Sequence, residues 1–101
     1  EFSRSYQVYV ILKGAHTCIS TPEGFCYYNS TGNPGMAKGG SGDVLTGVIT
    51  GLLAQGYSPL DSAIIGVYIH GFSGDLAKEL KGETGMIAGD IVERLPSAFM
   101  F

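Results

Sequence analysis

The chain has 101 residues, of which 45% are hydrophobic and 15% charged, and its formal net charge is −3. These values fit one soluble globular domain, with too little length for a second core. The six Lys and Arg residues are scattered and form no basic stripe, so nucleic acid is not expected as a partner. The longest apolar runs, at residues 8–12 and 63–69, are much shorter than the roughly 18 residues of a membrane span, and no signal peptide precedes them. The composition therefore predicts a cytoplasmic protein without a membrane partner.

The first part of the chain reads as strands. Residues 6–12 are almost continuously apolar, which is typical of a strand buried on both faces of an α/β sheet, and Lys13 and Gly14 end it. Residues 17–20 and 25–29 read as a hairpin around a turn at residues 22–24. We expect this hairpin at the edge of the sheet.

The two cysteines, Cys18 and Cys26, flank that turn, and the register of the hairpin decides whether they face each other. A two-residue loop would pair Cys18 with Tyr27 instead. Because there are so few cysteines and no export signal, we expect free buried thiols rather than a disulfide or a metal site.

Apolar residues at helical spacing predict a first helix that begins at or beside Asp43, runs to Gln55 and ends at Gly56. Within it, Gly47 and Gly51 lie four residues apart and could form a flat strip for close packing.

Two more helices are predicted after it. The second begins with Ser58 as its cap and Pro59 in its first turn, and it stops at Gly82. The third spans roughly residues 89–95 and ends at Pro96.

The glycine-rich segment at residues 32–42 contains five glycines and one proline, so we expect no regular element there. Its last part, Gly39 to Asp43, combines small residues with the start of a helix, whose N–H groups and positive end attract anions. Asp43 in the first turn could accept a proton from a substrate hydroxyl that attacks phosphorus. The same residues equally allow a tight turn with Asp43 as a helix cap.

Two common nucleotide motifs do not fit this segment. The P-loop pattern fails because Ala37 occupies a required glycine position, and the dinucleotide pattern fails because Leu45 occupies another. A P-loop or a dinucleotide-binding Rossmann site is therefore disfavoured.

Residues 33–37 running into 39–45 closely resemble the signature of the NAD(P)H-hydrate dehydratase family. Residues 12–17 resemble that family's nucleotide-contacting segment, and residues 70–77 and 88–91 resemble its closing helices. Lys38 departs from the family signature, which often has a small hydroxyl residue at this position. The resemblance covers nearly the whole chain.

The resemblance implies an α/β fold: residues 1–101 would be the C-terminal portion of a ribokinase-like three-layer α/β/α fold. The implied reaction phosphorylates the C6 hydroxyl of a hydrated nicotinamide, NADHX or NADPHX, with ADP or ATP, and then eliminates phosphate. Mg²⁺ would arrive mainly through the nucleotide phosphates. The full-length protein would be a homo-oligomer, whereas the 101 residues alone are expected to be inactive.

The family's roles transfer to matching positions. Asp43 would contact the hydrated nicotinamide and act as the base. An anion hole would be formed by backbone N–H groups of Gly40, Ser41 and Gly42. The nucleotide contacts implied by the resemblance are Lys13, Gly14, Ala15, His16, Thr17 and Gly42. The alternatives are a vitamin or sugar kinase of the same superfamily, and a non-catalytic nucleotide-binding module.

Other polar residues are assigned structural roles. His70 falls within an apolar helix and is expected to be a hydrogen-bonded core residue, while His16 on a hairpin would by itself be a surface or packing residue. Asp75 and Asp90 are expected to be solvated or capping carboxylates. No cluster of His or Cys accompanies them, so no protein-built metal site is predicted.

Overall fold

A computed structural model describes residues 10–12, 17–37 and 39–100 of the chain. Within these ranges, short strands come first and helices follow. In chain order the elements are β1 (Val10–Leu12), β2 (Cys18–Ser20), β3 (Cys26–Tyr28), a 3₁₀ helix (Pro34–Met36), α1 (Ser41–Ala54), α2 (Pro59–Gly85) and α3 (Ala88–Phe99).

The three described strands form an antiparallel sheet in the order β1-β2-β3. The hairpin of β2 and β3 is confirmed, and it lies at an edge of this sheet as predicted. Only the last three residues of the first predicted strand are described. In this part of the chain the pairing is antiparallel throughout, unlike the parallel arrangement that a doubly buried first strand favours.

The hairpin register separates the two cysteines. Cys18 lies opposite Tyr28 and Cys26 opposite Ser20, so the alternative pairing of Cys18 with Tyr27 does not occur. Both thiols are free, as expected, but Cys18 is only half-buried and Cys26 is exposed, because β3 faces solvent along its length. Charge on the thiolate of Cys18, and then on that of Cys26, raises the pKa of the neighbouring Tyr28 hydroxyl above its usual value.

Helix α1 begins two residues before Asp43, because Gly40 adopts a left-handed conformation (φ 92°) and serves as the N-cap. The residues 32–42 therefore contain one 3₁₀ turn and the first residues of α1, which corrects the expectation of an irregular segment. Gly56, with φ 98°, follows the end of α1 as predicted.

The packing strip expected on α1 is not used by the described residues. Gly47 and Gly51 are exposed, and a Cβ at either position would meet no atom of these residues within 4 Å apart from its chain neighbours and its own helix backbone. Close packing occurs instead at glycines of α2. A Cβ at Gly66 would collide with Ile49, and one at Gly71 would collide with Thr31.

The start of α2 is confirmed: the N–H of Asp61 donates to Ser58 Oγ at 3.1 Å, and Pro59 is the first helical residue. Gly82 ends the regular helix as predicted, because it takes a non-helical conformation (φ 75°, ψ 163°). A short helical turn follows this kink and reaches Gly85. Beyond it, Met86 is fully buried, so the kink directs the chain into the core.

Helix α3 continues past its predicted stop: Pro96 lies inside it, and the helix reaches Phe99. Pro96 removes one hydrogen bond near the end of the helix, but Ala98 is buried at 1% exposure and its packing holds the last turn in place.

Two clusters of buried residues form the core. The first joins β2, α1 and α2, and consists of Ile19, Leu45, Ala63 and Val67. The second joins the end of α2 to α3, with Met36 and Val44 packed against it, and consists of Ala77, Met86 and Ile91. Because Val44 and Leu45 contact different clusters, the first turns of α1 are anchored from two sides. None of the helices in the described ranges is long and apolar enough to cross a membrane.

Candidate functional site

The N-terminus of α1 is the centre of the site. The first bond of the helix joins the N–H of Val44 to the carbonyl of Gly40 at 3.1 Å. The N–H groups of Ser41, Gly42 and Asp43 consequently have no acceptor within the helix, and they lie at its positive end. Gly39 and Gly40 in front of them are exposed. This arrangement is suited to binding an anionic group.

A cavity of about 880 Å³ borders this helix terminus. One wall is the segment 31–37, a second is the start of α1 with Ser41, Gly42 and Leu45, and a third is the middle of α2 with Val67, His70 and Gly71; Thr17 lines it as well. The volume lies within the range of small-molecule sites.

The structure brings part of the predicted site together. Ser41, Gly42 and Thr17 line the same cavity, and Gly40 is the N-cap of the helix that borders it. Asp43 lies in the first turn of that helix with an exposed side chain, so it is accessible to a ligand. Residues 13–16, the rest of the predicted nucleotide-binding segment, and Lys38 lie outside the described residues.

His70 connects α2 to the start of α1. Its Nε2 lies 3.0 Å from the carbonyl oxygen of Ser41 and 3.3 Å from the Ser41 hydroxyl. Since a carbonyl only accepts, the ring nitrogen donates to it. Both residues are buried, which confirms the expected hydrogen-bonded core histidine. The partner was not predicted, because 29 residues separate it from His70.

The wall formed by residues 31–37 is bonded to α2. The hydroxyl of Thr31 donates to the carbonyl of Tyr68 at 2.9 Å. The carboxylate of Asp75 accepts from the N–H of Gly32 at 3.1 Å and from Asn33 Nδ2 at 2.8 Å. Asp75 is therefore neither a helix cap nor simply solvated, which corrects its predicted role.

Asp90 has the predicted capping role. Its Oδ2 accepts from the N–H of Ile87 at 2.8 Å, and its Oδ1 lies 3.7 Å from Lys81 Nζ. Residues 10–12, 17–37 and 39–100 contain no group of three or more His, Cys, Asp or Glu that could hold a metal ion.

A family model described as NAD(P)H-hydrate dehydratase matches residues 1–97. Two curated relatives show the level of similarity. A bifunctional NAD(P)H-hydrate repair enzyme of Moorella thermoacetica is 50% identical over 96 residues, which are 95% of this chain and 18% of that protein. An ADP-dependent (S)-NAD(P)H-hydrate dehydratase of Neisseria meningitidis is 45% identical over 83 residues, which are 81% of this chain and 28% of that protein.

Solved structures show the same fold. The ADP/ATP-dependent NAD(P)H-hydrate dehydratase of Bacillus subtilis, co-crystallized with ATP/Mg²⁺ and soaked with CoA, superposes with a TM-score of 0.93 at 34% identity, over 98% of this chain and 37% of its own. A ribokinase-like superfamily protein of Enterococcus faecalis superposes with a TM-score of 0.79 at 35% identity, over 97% of this chain and 34% of its own. The chain therefore has a ribokinase-like α/β architecture and spans between about a fifth and two fifths of the length of these proteins.

Proposed function

Because the chain belongs to the NAD(P)H-hydrate dehydratase family, we propose that it is the C-terminal part of an enzyme that restores hydrated nicotinamide cofactors. The substrate would be the hydrate of NADH or NADPH, and the co-substrate ADP or ATP. The observation that carries this proposal is the exposed Asp43 at the N-terminus of α1, beside a cavity of about 880 Å³.

The proposed chemistry has two steps. In the first, the C6 hydroxyl of the hydrate attacks the terminal phosphorus of the nucleotide, so that a C–O–P linkage forms and the bond to the nucleotide breaks. In the second, the C–O bond breaks, phosphate leaves, and a proton is lost from the adjacent ring carbon to form the double bond. Phosphorylation converts a poor leaving group, hydroxide, into a good one.

Each residue of the helix terminus has a role in the first step. Asp43 would accept the proton of the attacking hydroxyl, since it is exposed and lies in the same turn as the proposed phosphate-binding N–H groups. The N–H groups of Gly40, Ser41 and Gly42 would stabilise the negative charge on the transferred phosphoryl group. Thr17 on the cavity wall would contact the nucleotide.

Mg²⁺ would enter with the phosphates of the nucleotide. The described residues assemble no ligand cluster of their own for it, so no step is assigned to a protein-bound metal ion. A reducing cytoplasm suits the two free thiols, Cys18 and Cys26.

The test is an assay of the full-length gene product with purified NADHX or NADPHX and either ADP or ATP. We expect the absorbance of the reduced nicotinamide to return, with one phosphate released for each cofactor restored. Nucleotide consumption with accumulation of a phosphorylated product would identify a small-molecule kinase instead. Nucleotide binding without turnover of either kind would identify a binding module.

A further inference from the structure

The segment 31–37 is held to α2 by a set of directional hydrogen bonds. Asp75 accepts two of them with its two carboxylate oxygens, one from the N–H of Gly32 and one from the side-chain amide of Asn33. The oxygen of that same amide accepts from the N–H of Gly35 at 3.0 Å. The side chain of Asn33 therefore connects Asp75 to the 3₁₀ turn at residues 34–36 through hydrogen bonds.

Close packing supports the same attachment. A Cβ at Gly71 would collide with Thr31, and one at Gly74 would collide with the side chain of Met36. The surface of α2 beneath this segment thus lacks side chains where the segment approaches it. Asp75 follows Gly74 directly and reaches the segment from the edge of that contact.

The segment is one wall of the cavity, because Gly32, Asn33, Pro34 and Met36 all line it. Asp75 does not line the cavity and acts only through the residues it holds. A polypeptide segment made of glycine, proline and short side chains has many alternative conformations, and fixing it before a ligand arrives lowers the entropic cost of binding.

We propose that Asn33 and Asp75 are positioning residues which hold the 31–37 wall in its ligand-binding shape before substrate binds. This inference rests on the proposed function for its kinetic consequence, since the wall is taken to shape the pocket in which phosphoryl transfer occurs. Neither residue touches the reacting atoms in this assignment. Their contribution is the pre-organisation of the cavity.

In the hydrogen bond between the two side chains, Asn33 is the donor and Asp75 the acceptor, and a pair of substitutions can reverse these roles. With Asp75→Asn alone, an NH₂ group replaces one of the two carboxylate oxygens. That group cannot accept a hydrogen bond from the N–H of Gly32 or from the amide of Asn33. With Asn33→Asp alone, two carboxylates face each other. When both changes are combined, the new amide at position 75 donates to the new carboxylate at position 33, and acceptors remain for the N–H groups of Gly32 and Gly35.

The experiment measures these three variants in the full-length gene product, with Asp61→Asn, an exposed aspartate of the same helix, as the matched control. Kinetics are recorded at a temperature where each variant is folded. We expect each single variant to lower kcat/KM about 10- to 100-fold, as for loss of a charged hydrogen bond, and the double variant to recover to within about threefold of wild type. In the ligand-free protein, amide exchange at Gly32 and Gly35 should accelerate in the single variants and slow again in the double variant.

Single variants with wild-type kinetics would overturn the inference, and so would a double variant whose defect is the product of the two single defects. A lower melting temperature with unchanged kcat and KM would show that the pair only stabilises the fold. If the wild-type protein lacks dehydratase activity, the proposed function fails. The amide-exchange rates of Gly32 and Gly35 in the three variants still decide whether Asn33 and Asp75 order the 31–37 wall.

Discussion

His70 Nε2 lies 3.0 Å from the carbonyl oxygen of Ser41, so the middle of α2 is bonded to the first residue of α1. Ser41 is 5% exposed and His70 7% exposed, and water does not compete freely for this bond. The bond fixes the end of α1 whose N–H groups form the proposed anion site. A structural histidine therefore determines where the proposed phosphate-binding groups lie.

Replacing His70 tests this relationship. We expect His70→Leu to lower the free energy of unfolding by about 1–3 kcal/mol, because the Ser41 carbonyl then loses a donor in a buried place. His70→Gln places an amide nitrogen at a similar reach and should recover more than half of that loss. Chemical denaturation measures both variants. Equal destabilisation by Gln and Leu would show that the bond to Ser41 contributes little.

Asp43 is the proposed base, and its removal should affect turnover rather than binding. We expect Asp43→Asn to lower kcat by about two orders of magnitude or more, because the amide retains the shape and cannot accept the proton. Nucleotide affinity, measured by calorimetry, should change little.

A matched control is available in α2. Asp61, like Asp43, is the third residue of its helix and is exposed, but the N-terminus of its helix does not line the cavity, whereas Ser41 and Gly42 of α1 do. Asp61→Asn changes the charge at a helix N-terminus in the same way and should leave kcat unchanged. Unchanged turnover in Asp43→Asn would remove Asp43 from the mechanism.

Gly40 tests the anion hole. Its φ of 92° disfavours any residue with a side chain, and an added Cβ would lie 3.2 Å from the Cβ of Ala88. We expect Gly40→Val to weaken ADP or ATP binding at least about tenfold, because the branched side chain shifts the loop and blocks approach of a phosphate. Gly56→Val introduces similar backbone strain at φ 98°, where the new Cβ meets no described residue within 4 Å other than its chain neighbours, and it should reduce stability while retaining affinity. Equal nucleotide affinity in wild type and Gly40→Val would refute the anion-hole assignment.

Features with local causes were predictable from the sequence. The start of α2 follows from Ser58 and Pro59, whose capping geometry depends only on the next few residues. The end of α1 follows from Gly56 for the same reason. The proposed anion site at α1 could be located from the sequence because its glycines and Asp43 are contiguous, although the helix starts two residues earlier than Asp43.

Features with distant causes were not predictable. Gly82 interrupts α2 as predicted, but the short helical turn after it, which leads to the buried Met86, was not predicted. The role of Asp75 depends on a partner 42 residues away. Likewise, only the fold decides that Gly71 packs closely while Gly47 faces solvent.

Ser73 is fully buried, and its hydroxyl has no hydrogen-bond partner among the described residues. Ser62, on the same helix, is equally buried, but its hydroxyl donates to the carbonyl of Tyr57 at 3.5 Å. Replacement of either serine by alanine gains helix propensity and removes one buried hydroxyl, so the two substitutions differ mainly in the hydrogen bond that is lost.

We expect Ser73→Ala to leave the free energy of unfolding unchanged or to raise it by up to about 1 kcal/mol, because an unpaired buried hydroxyl is itself destabilising. Ser62→Ala should lower it, and the two variants should differ by about 1 kcal/mol in urea denaturation. A destabilisation of Ser73→Ala that matches or exceeds that of Ser62→Ala would show that the Ser73 hydroxyl is bonded in the folded protein.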